Sequence, residues 1–302
     1  MKNALVLFFL IIPYQVFAQS FNVELKYSYN QEREQYVFQA INSENEDMTV
    51  VAIFDKLYNL KADVRLPFIK TLSPGMYNVF TLSQANSRNG DFSYKYYVYR
   101  GVANPNINED YRYLIPVSNG KKVGVGKLNF QKSDSENEPY GLVFKVSLGD
   151  TITASRGGLI KSIVDVDVDN TDEINLSIKS NRITIQHEDG TLAHYSNFAV
   201  GSSLVEKGDF ILAGDPIAKA GQGSSEGGSS LYFHMTYMTL DVRDSRHHRS
   251  WSEWHFYKPK FITKEHEGEL VPGVTYEALI NSDLITQEMS KGEKKKYLKK
   301  KN

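Results

Sequence analysis

Three features of the 302-residue chain predict a mostly β protein, with an N-terminal β-sandwich-like domain followed by an antiparallel β domain. Short apolar and aromatic runs recur through residues 19–126, Gly/Pro/Ser/Asn clusters separate them, and glycine and apolar landmarks between Pro139 and Met235 outline a second set of strands. A 41% hydrophobic and 12% aromatic content is enough to fill two cores, which excludes a disordered chain.

The chain begins with the charged Met1-Lys2-Asn3, the apolar run Ala4–Ile12, Pro13, and the small-residue site Val16-Phe17-Ala18. This is the layout of a secretory signal over residues 1–18, with Gln19 as the first mature residue. The run falls short of the roughly 20 residues a spanning helix needs, and no later segment is long and apolar enough. The expectation is an exported protein of the periplasm, cell envelope or extracellular space. Loss of Lys2 would take the formal charge from −1 to −2, so no global basic field favours nucleic acid. The absence of cysteine excludes disulfides, thiol catalysis and thiolate-held zinc.

In residues 19–126 the strand-like runs are Phe21–Tyr27, Met48–Phe54, Tyr77–Leu82 and Phe92–Tyr99, with turn clusters at Ser73-Pro74-Gly75 and Ser87–Gly90. Their spacing predicts a small β-sandwich, and no residue set within it suggests chemistry. Residues 127–138, carrying Asp134, Glu136 and Glu138, read as a linker.

The second domain, residues 139–276, opens with Pro139-Tyr-Gly-Leu-Val143-Phe and continues through Ala154-Ser-Arg-Gly157-Gly158. There follow Ile183-Thr-Ile-Gln-His187-Glu-Asp-Gly190-Thr-Leu-Ala-His194-Tyr195-Ser-Asn197-Phe198, then Val205-Glu-Lys-Gly208-Asp through Gly214 to Gly221, then Leu231-Tyr232-Phe233-His234-Met235. In this order and spacing the fragments resemble the lysostaphin/LytM-type peptidoglycan metalloendopeptidases, of the duplicated hybrid motif fold. The resemblance implies a LytM-type antiparallel β domain and, in active members, a zinc endopeptidase.

Carried over position by position, the resemblance implies a degenerate member. Its zinc is held by the His and Asp of H-x-x-x-D and the second His of H-x-H, with water in the fourth position. Those places hold Pro139, Val143 and His234 here. Proline offers a metal no lone pair and valine is apolar, so only His234 is retained and no zinc or other cofactor is expected. The remaining two family histidines, which resemble acid/base and oxyanion-stabilising groups, correspond to Asn197 and Tyr232. Both can hydrogen-bond, and neither titrates near neutrality. No catalytic residue is therefore expected, and Val143, Asn197, Tyr232 and His234 are the candidates for lining a binding groove.

Strand alternation places Ala193, Tyr195 and Asn197 on one face and His194 on the other, so His194 is expected to be a poor substitute ligand. Tyr232 and His234 share a face, with Phe233 opposite in the core. A shifted loop could bring Asp134, Glu136 or Glu138 inward as a replacement carboxylate, but the match of the flanking Tyr-Gly-Leu and Phe disfavours that. The run Arg246-His247-His248-Arg249-Ser-Trp251-Ser-Glu253-Trp254-His255 reads as an exposed basic and aromatic loop, because its arginines would repel a cation at His247, His248 and His255. Asp165-Val-Asp167-Val-Asp169-Asn170 begins like a calcium loop, but Asn170 replaces the glycine and Leu176 the bidentate glutamate, leaving an acidic hairpin. Gly221–Ser230 lacks the Lys-Ser/Thr pair and following helix of a phosphate loop, and reads as the flexible wall before the H-x-H strand.

After Met235, Trp254–Phe261 and Leu270–Tyr276 resemble the closing extension of longer family members, expected to wrap back onto the β domain. Residues 277–302 read as a basic tail with room for a short helix and, if it acts, an attraction to anionic envelope polymers or head groups. Three functions remain open: a peptidase-like protein that binds peptidoglycan or regulates an envelope hydrolase without cutting, an active zinc endopeptidase with rearranged ligands, and a structural envelope interaction module.

Overall fold

The computed structural model describes residues 21–86, 89–130, 138–165, 181–221, 229–243 and 251–301. The expected export signal, Ser87 of the turn cluster, Asp134, Glu136, Asp167 through Leu176, residues 222–228 and Arg246–Arg249 lie outside them. The described residues form a mostly β protein with antiparallel sheets.

The first domain holds β1 (Val23–Asn30), β2 (Gln35–Asn42), β3 (Met48–Tyr58), β4 (Leu60–Ala62), β5 (Phe68–Leu72), β6 (Gly75–Gln84) and β7 (Asp91–Arg100). One sheet runs β1-β2-β6-β4 and the other β5-β3-β7, which is the expected sandwich. Alternation drives them together: Phe38, Met48, Val50 and Leu82 are fully buried, and Phe38 stacks on Phe80 with centroids 4.3 Å apart.

The second domain begins earlier than the sequence reading put it. After β8 (Tyr113–Leu114), β9 (Lys122–Lys127) pairs with β10 (Leu142–Val146), so a boundary at 126 cuts through a strand of the second sheet. There follow β11 (Thr151–Thr153), β12 (Gly158–Val164), β13 (Arg182–Gln186), β14 (Leu192–Ser196), β15 (Phe210–Ile211), β16 (Pro216–Lys219) and β17 (Ser229–Leu240). The closing region supplies β18 (Ser252–Tyr257), β19 (Phe261–Ile262), β20 (Glu267–Gly268), β21 (Thr275–Glu277), α1 (Ser282–Ile285) and α2 (Lys291–Lys301). The main sheet runs β15-β12-β13-β14-β17-β10-β9-β21, with β18 beside the far half of β17. Gly158 keeps β12 close to β13, because a side chain there would run into the Gln186 carbonyl.

Two expectations about the closing region change. Trp251 is not in an exposed loop: it is 2% exposed and packs edge-on against Tyr97 of the sandwich, with Val51 and Leu240 in the same cluster. Residues 277–290 are not a loose tail either. Leu284 of α1 packs with Leu114 and Ala213, and Glu288 pairs with the buried Arg156. A single buried leucine in a four-residue helix anchors the first, and a charge 132 residues distant in sequence anchors the second. Neither partner can be read from local pattern.

The sandwich docks over one end of the main sheet. Ala103 bridges Met238, Asn104 clasps the Leu240 backbone through both its amide nitrogen and oxygen, and Gln186 donates to Asp47 at 2.7 Å.

Candidate functional site

The face of β17 that carries Tyr232 and His234 forms the candidate site. Leu231, Phe233 and Met235 on its reverse are fully buried in the core, as alternation requires. Val143 of β10 lies directly across from Tyr232, so three of the four expected lining residues share one face. Pro139 sits just before β10 and lines a separate cleft of about 330 Å³ with Tyr140, Lys258 and Glu269.

Asn197 does not follow the expected alternation. Ala193 and Tyr195 face the core, where Tyr195 packs 5.1 Å from Phe233. β14 ends at Ser196 and Asn197 takes φ 74°, a left-handed conformation that asparagine tolerates better than most side chains. Its Nδ2 donates to the Ser230 carbonyl at 2.6 Å, tying the end of β14 to β17.

His194 does not lie where alternation counted through Asn197 puts it. It faces His234 directly across β14 and β17, so it belongs to the site face rather than its reverse. The two imidazoles stack with centroids 4.5 Å apart and planes 21° from parallel. Both ring nitrogens of His194 are engaged, Nδ1 with Thr184 Oγ1 at 3.2 Å and Nε2 with Thr236 Oγ1 at 3.0 Å. The Nδ1 of His234 is buried and, among the described residues, has no hydrogen-bond partner.

An aromatic cover completes the arrangement. Phe130 approaches His234 edge-on at 5.6 Å and meets Phe256 at 4.9 Å, while Phe256 lies 5.9 Å from His234. Residues 127–138 therefore do more than link: Lys127 ends a strand, Leu128 is buried and Phe130 covers the site. A side chain on Gly141 would crowd against that same Phe130 ring, so glycine makes room for the cover.

This packing controls protonation. Desolvation first, then the charges of His234 and Arg182, hold His194 well below the usual imidazole range. Desolvation and then Arg182 push His234 down to about 4. Both rings are neutral at neutral pH, which lets them stack without charge repulsion.

The residues present do not fit a tetrahedral zinc ion. Pro139 and Val143 supply no donor, and both nitrogens of the added histidine are occupied by threonine hydroxyls. Among the described residues, no group of three or more metal-binding side chains comes together. His255 forms no such group: it bonds Thr239 Oγ1 at 2.7 Å and stacks on Tyr237.

Sequence reasoning missed His194, Phe130 and Phe256 as members of the site. Only strand register could have found the first. It also missed Arg156, 1% exposed, which bonds Asp189 at 2.7 Å and Tyr113 at 2.9 Å, pairs with Glu288, and lies 4.4 Å from the Tyr111 ring. That cluster lines a larger cleft of about 550 Å³ together with Asn104 and Glu188. Its role is to lock the closing region onto the sheet. His187 belongs to the same structural neighbourhood, bonding the Gly157 carbonyl at 2.8 Å.

Residues 137–244 match the model of Peptidase family M23. Among solved structures, the catalytic domain of the antimicrobial peptidase lysostaphin from Staphylococcus simulans is 22% identical, with a TM-score of 0.27, covering 38% of this chain and 78% of that one. A mutant catalytic domain of the prophage-encoded M23 protein EnpA from Enterococcus faecalis is 15% identical, with a TM-score of 0.27, over 37% and 79% of the two chains. Helicobacter pylori Csd3 is 11% identical, with a TM-score of 0.30, over 91% and 83%. No curated protein sequence matches the chain.

Proposed function

We propose that this is an exported M23 peptidase-like protein of the cell envelope that binds peptidoglycan without cutting it. The observation that carries the reading is the stacked, neutral His194–His234 pair under Phe130 and Phe256, beside Val143, where the family resemblance implies a zinc centre. Packing aromatic and apolar groups around the one retained ligand suits a surface that grips rather than a metal that polarises a peptide carbonyl. Tyr232 offers an apolar ring with a hydroxyl at one end, and Asn197 keeps amide capacity beyond its bond to Ser230. A peptide or glycan strand of cell wall has matching chemistry.

Regulation of an envelope hydrolase is the same reading with a protein in place of the wall. The test measures cosedimentation of the full mature chain with purified peptidoglycan, its zinc content, and cleavage of labelled wall. Expected are binding, no stoichiometric zinc and no cleavage, with binding weakened at least tenfold by Asn197→Trp in a folded protein. About one zinc per chain, lost on His234→Ala, would restore the endopeptidase reading. Unchanged binding by Asn197→Trp would move the interaction to the sandwich, and binding to neither wall nor envelope extract would leave a structural module.

A further inference from the structure

The chain segregates its charge. α2 holds seven lysines and one glutamate, a formal +6, against −1 for the whole chain, so the remaining residues carry −7. Lys291, Lys295, Lys296, Lys299 and Lys300 are exposed, and Lys294 is paired with Asp283 at 2.9 Å. At about 100° per residue the lysines surround the helix instead of forming one stripe.

That arrangement is costly for a helix standing alone. The pairs 291/295, 295/299 and 296/300 set like charges four residues apart, each destabilising by about 0.2–0.5 kcal/mol, and an 11-residue helix is already marginal. No apolar face compensates: Leu298 is 36% exposed. The start is nevertheless held by a reciprocal cap, in which the Ser290 amide donates to Glu293 Oε2 at 2.9 Å and the Glu293 amide to Ser290 Oγ at 3.4 Å. A capped helix whose charges repel is a structure that an anion would complete.

We propose that α2 is a docking site for a flexible phosphate-bearing polymer, which wraps the helix, neutralises its lysines and stabilises it. Charge complementarity selects a polyanion, and cations on every side select a flexible one, because a flat bilayer meets only half of them. All seven cations are lysine, the compact point charge that suits phosphate, with no arginine fork for paired recognition of carboxylate. Tyr297 is the one aromatic ring of the helix, which is a poor platform for stacking the bases of single-stranded nucleic acid.

The test uses the full chain and inorganic polyphosphate, followed by calorimetry and by hydrogen exchange of the 291–301 amides. Lys295→Gln/Lys296→Gln/Lys299→Gln/Lys300→Gln keeps helix propensity while removing four charges. Expected are saturable binding that falls steeply with salt, an at least tenfold loss and a shallower salt slope in the variant, and greater amide protection on binding. Binding unchanged in the variant, or no gain in protection, would overturn the proposal. Tighter binding to phosphatidylglycerol vesicles, polyglutamate or single-stranded DNA than to polyphosphate would also overturn it, in favour of a membrane, carboxylate or nucleic-acid partner. The groove reading stands or falls separately, since these substitutions leave Asn197, Tyr232 and His234 intact.

Discussion

The two faces of β17 have been shaped by different demands. On one, Leu231, Phe233 and Met235 are sealed in a core that also takes Tyr195, Phe144 and Phe261. On the other, Tyr232 and His234 meet Val143, His194 and an aromatic cover. The core face needs only volume and apolarity, which the M23 pattern supplies. The opposite face carries imidazole, phenol and aromatic side chains that pack on one another. A strand's alternation thus lets one face serve the fold while the other is free to carry its own chemistry.

Damage to the core face should cost the most. Phe233→Ala is expected to destabilise the protein by about 3–5 kcal/mol through the cavity it leaves, whereas Tyr232→Ala costs about 1 kcal/mol. Urea unfolding monitored by fluorescence measures both. Equal losses would mean that the site face is as much a core as its reverse. Arg156→Met tests a polar lock in the same way. It leaves Asp189 and Glu288 without their shared cation, at an expected cost of about 3 kcal/mol, with early proteolytic release of residues beyond 280.

Acid should sharpen the distinction further. His234 is pushed down to about 4, below the roughly 6.5 of an unfolded imidazole, so between those values the unfolded chain binds more protons. Its contribution is fully present above about pH 6.5 and is lost as pH falls through about 4, amounting to on the order of 3 kcal/mol. His194 shifts in the same direction. Stability measured from pH 7 to 4 should fall, and His234→Phe should flatten the slope. An unchanged slope would assign the acid sensitivity elsewhere, with the buried His187, pushed down to about 3, as the next group to replace.

Much of this fold was legible in the sequence because its signals are local. The runs Met48–Phe54 and Phe92–Tyr99 lie inside β3 and β7, and Tyr77–Leu82 inside β6. β2 is hard to read although Tyr36, Phe38 and Ala40 line one side of it, because polar Gln39 interrupts its apolar run. The site was legible at Val143, Tyr232 and His234, where a known motif met a regular strand. It failed at His194 because alternation was counted through Asn197, across a strand end at which φ turns positive. It failed at Phe130 and Phe256 because ring contact between segments more than a hundred residues apart leaves no mark on either. Register and long-range packing are tertiary facts, and pattern alone cannot supply them.

The smallest expected effect concerns the cover itself. If Phe130 holds the histidine pair neutral by excluding water, Phe130→Ala should cost only about 1–2 kcal/mol, because the side chain is half-buried and caps a face rather than filling a core. Its larger consequence should be electrostatic. Water admitted beside His234 relieves the desolvation that is the first cause of its low pKa, so the value should rise towards the ordinary imidazole range by about half a unit or more. Arg182 would still oppose the charge, so the rise should stop short of about 6.5. Titration of the His234 ring protons by NMR, in wild type and variant, reads this directly. His187, packed against Tyr113, provides an internal reference that should not move. A His234 titration unchanged by Phe130→Ala would show that the cover is incidental, and that strand packing and Arg182 alone hold the ring neutral.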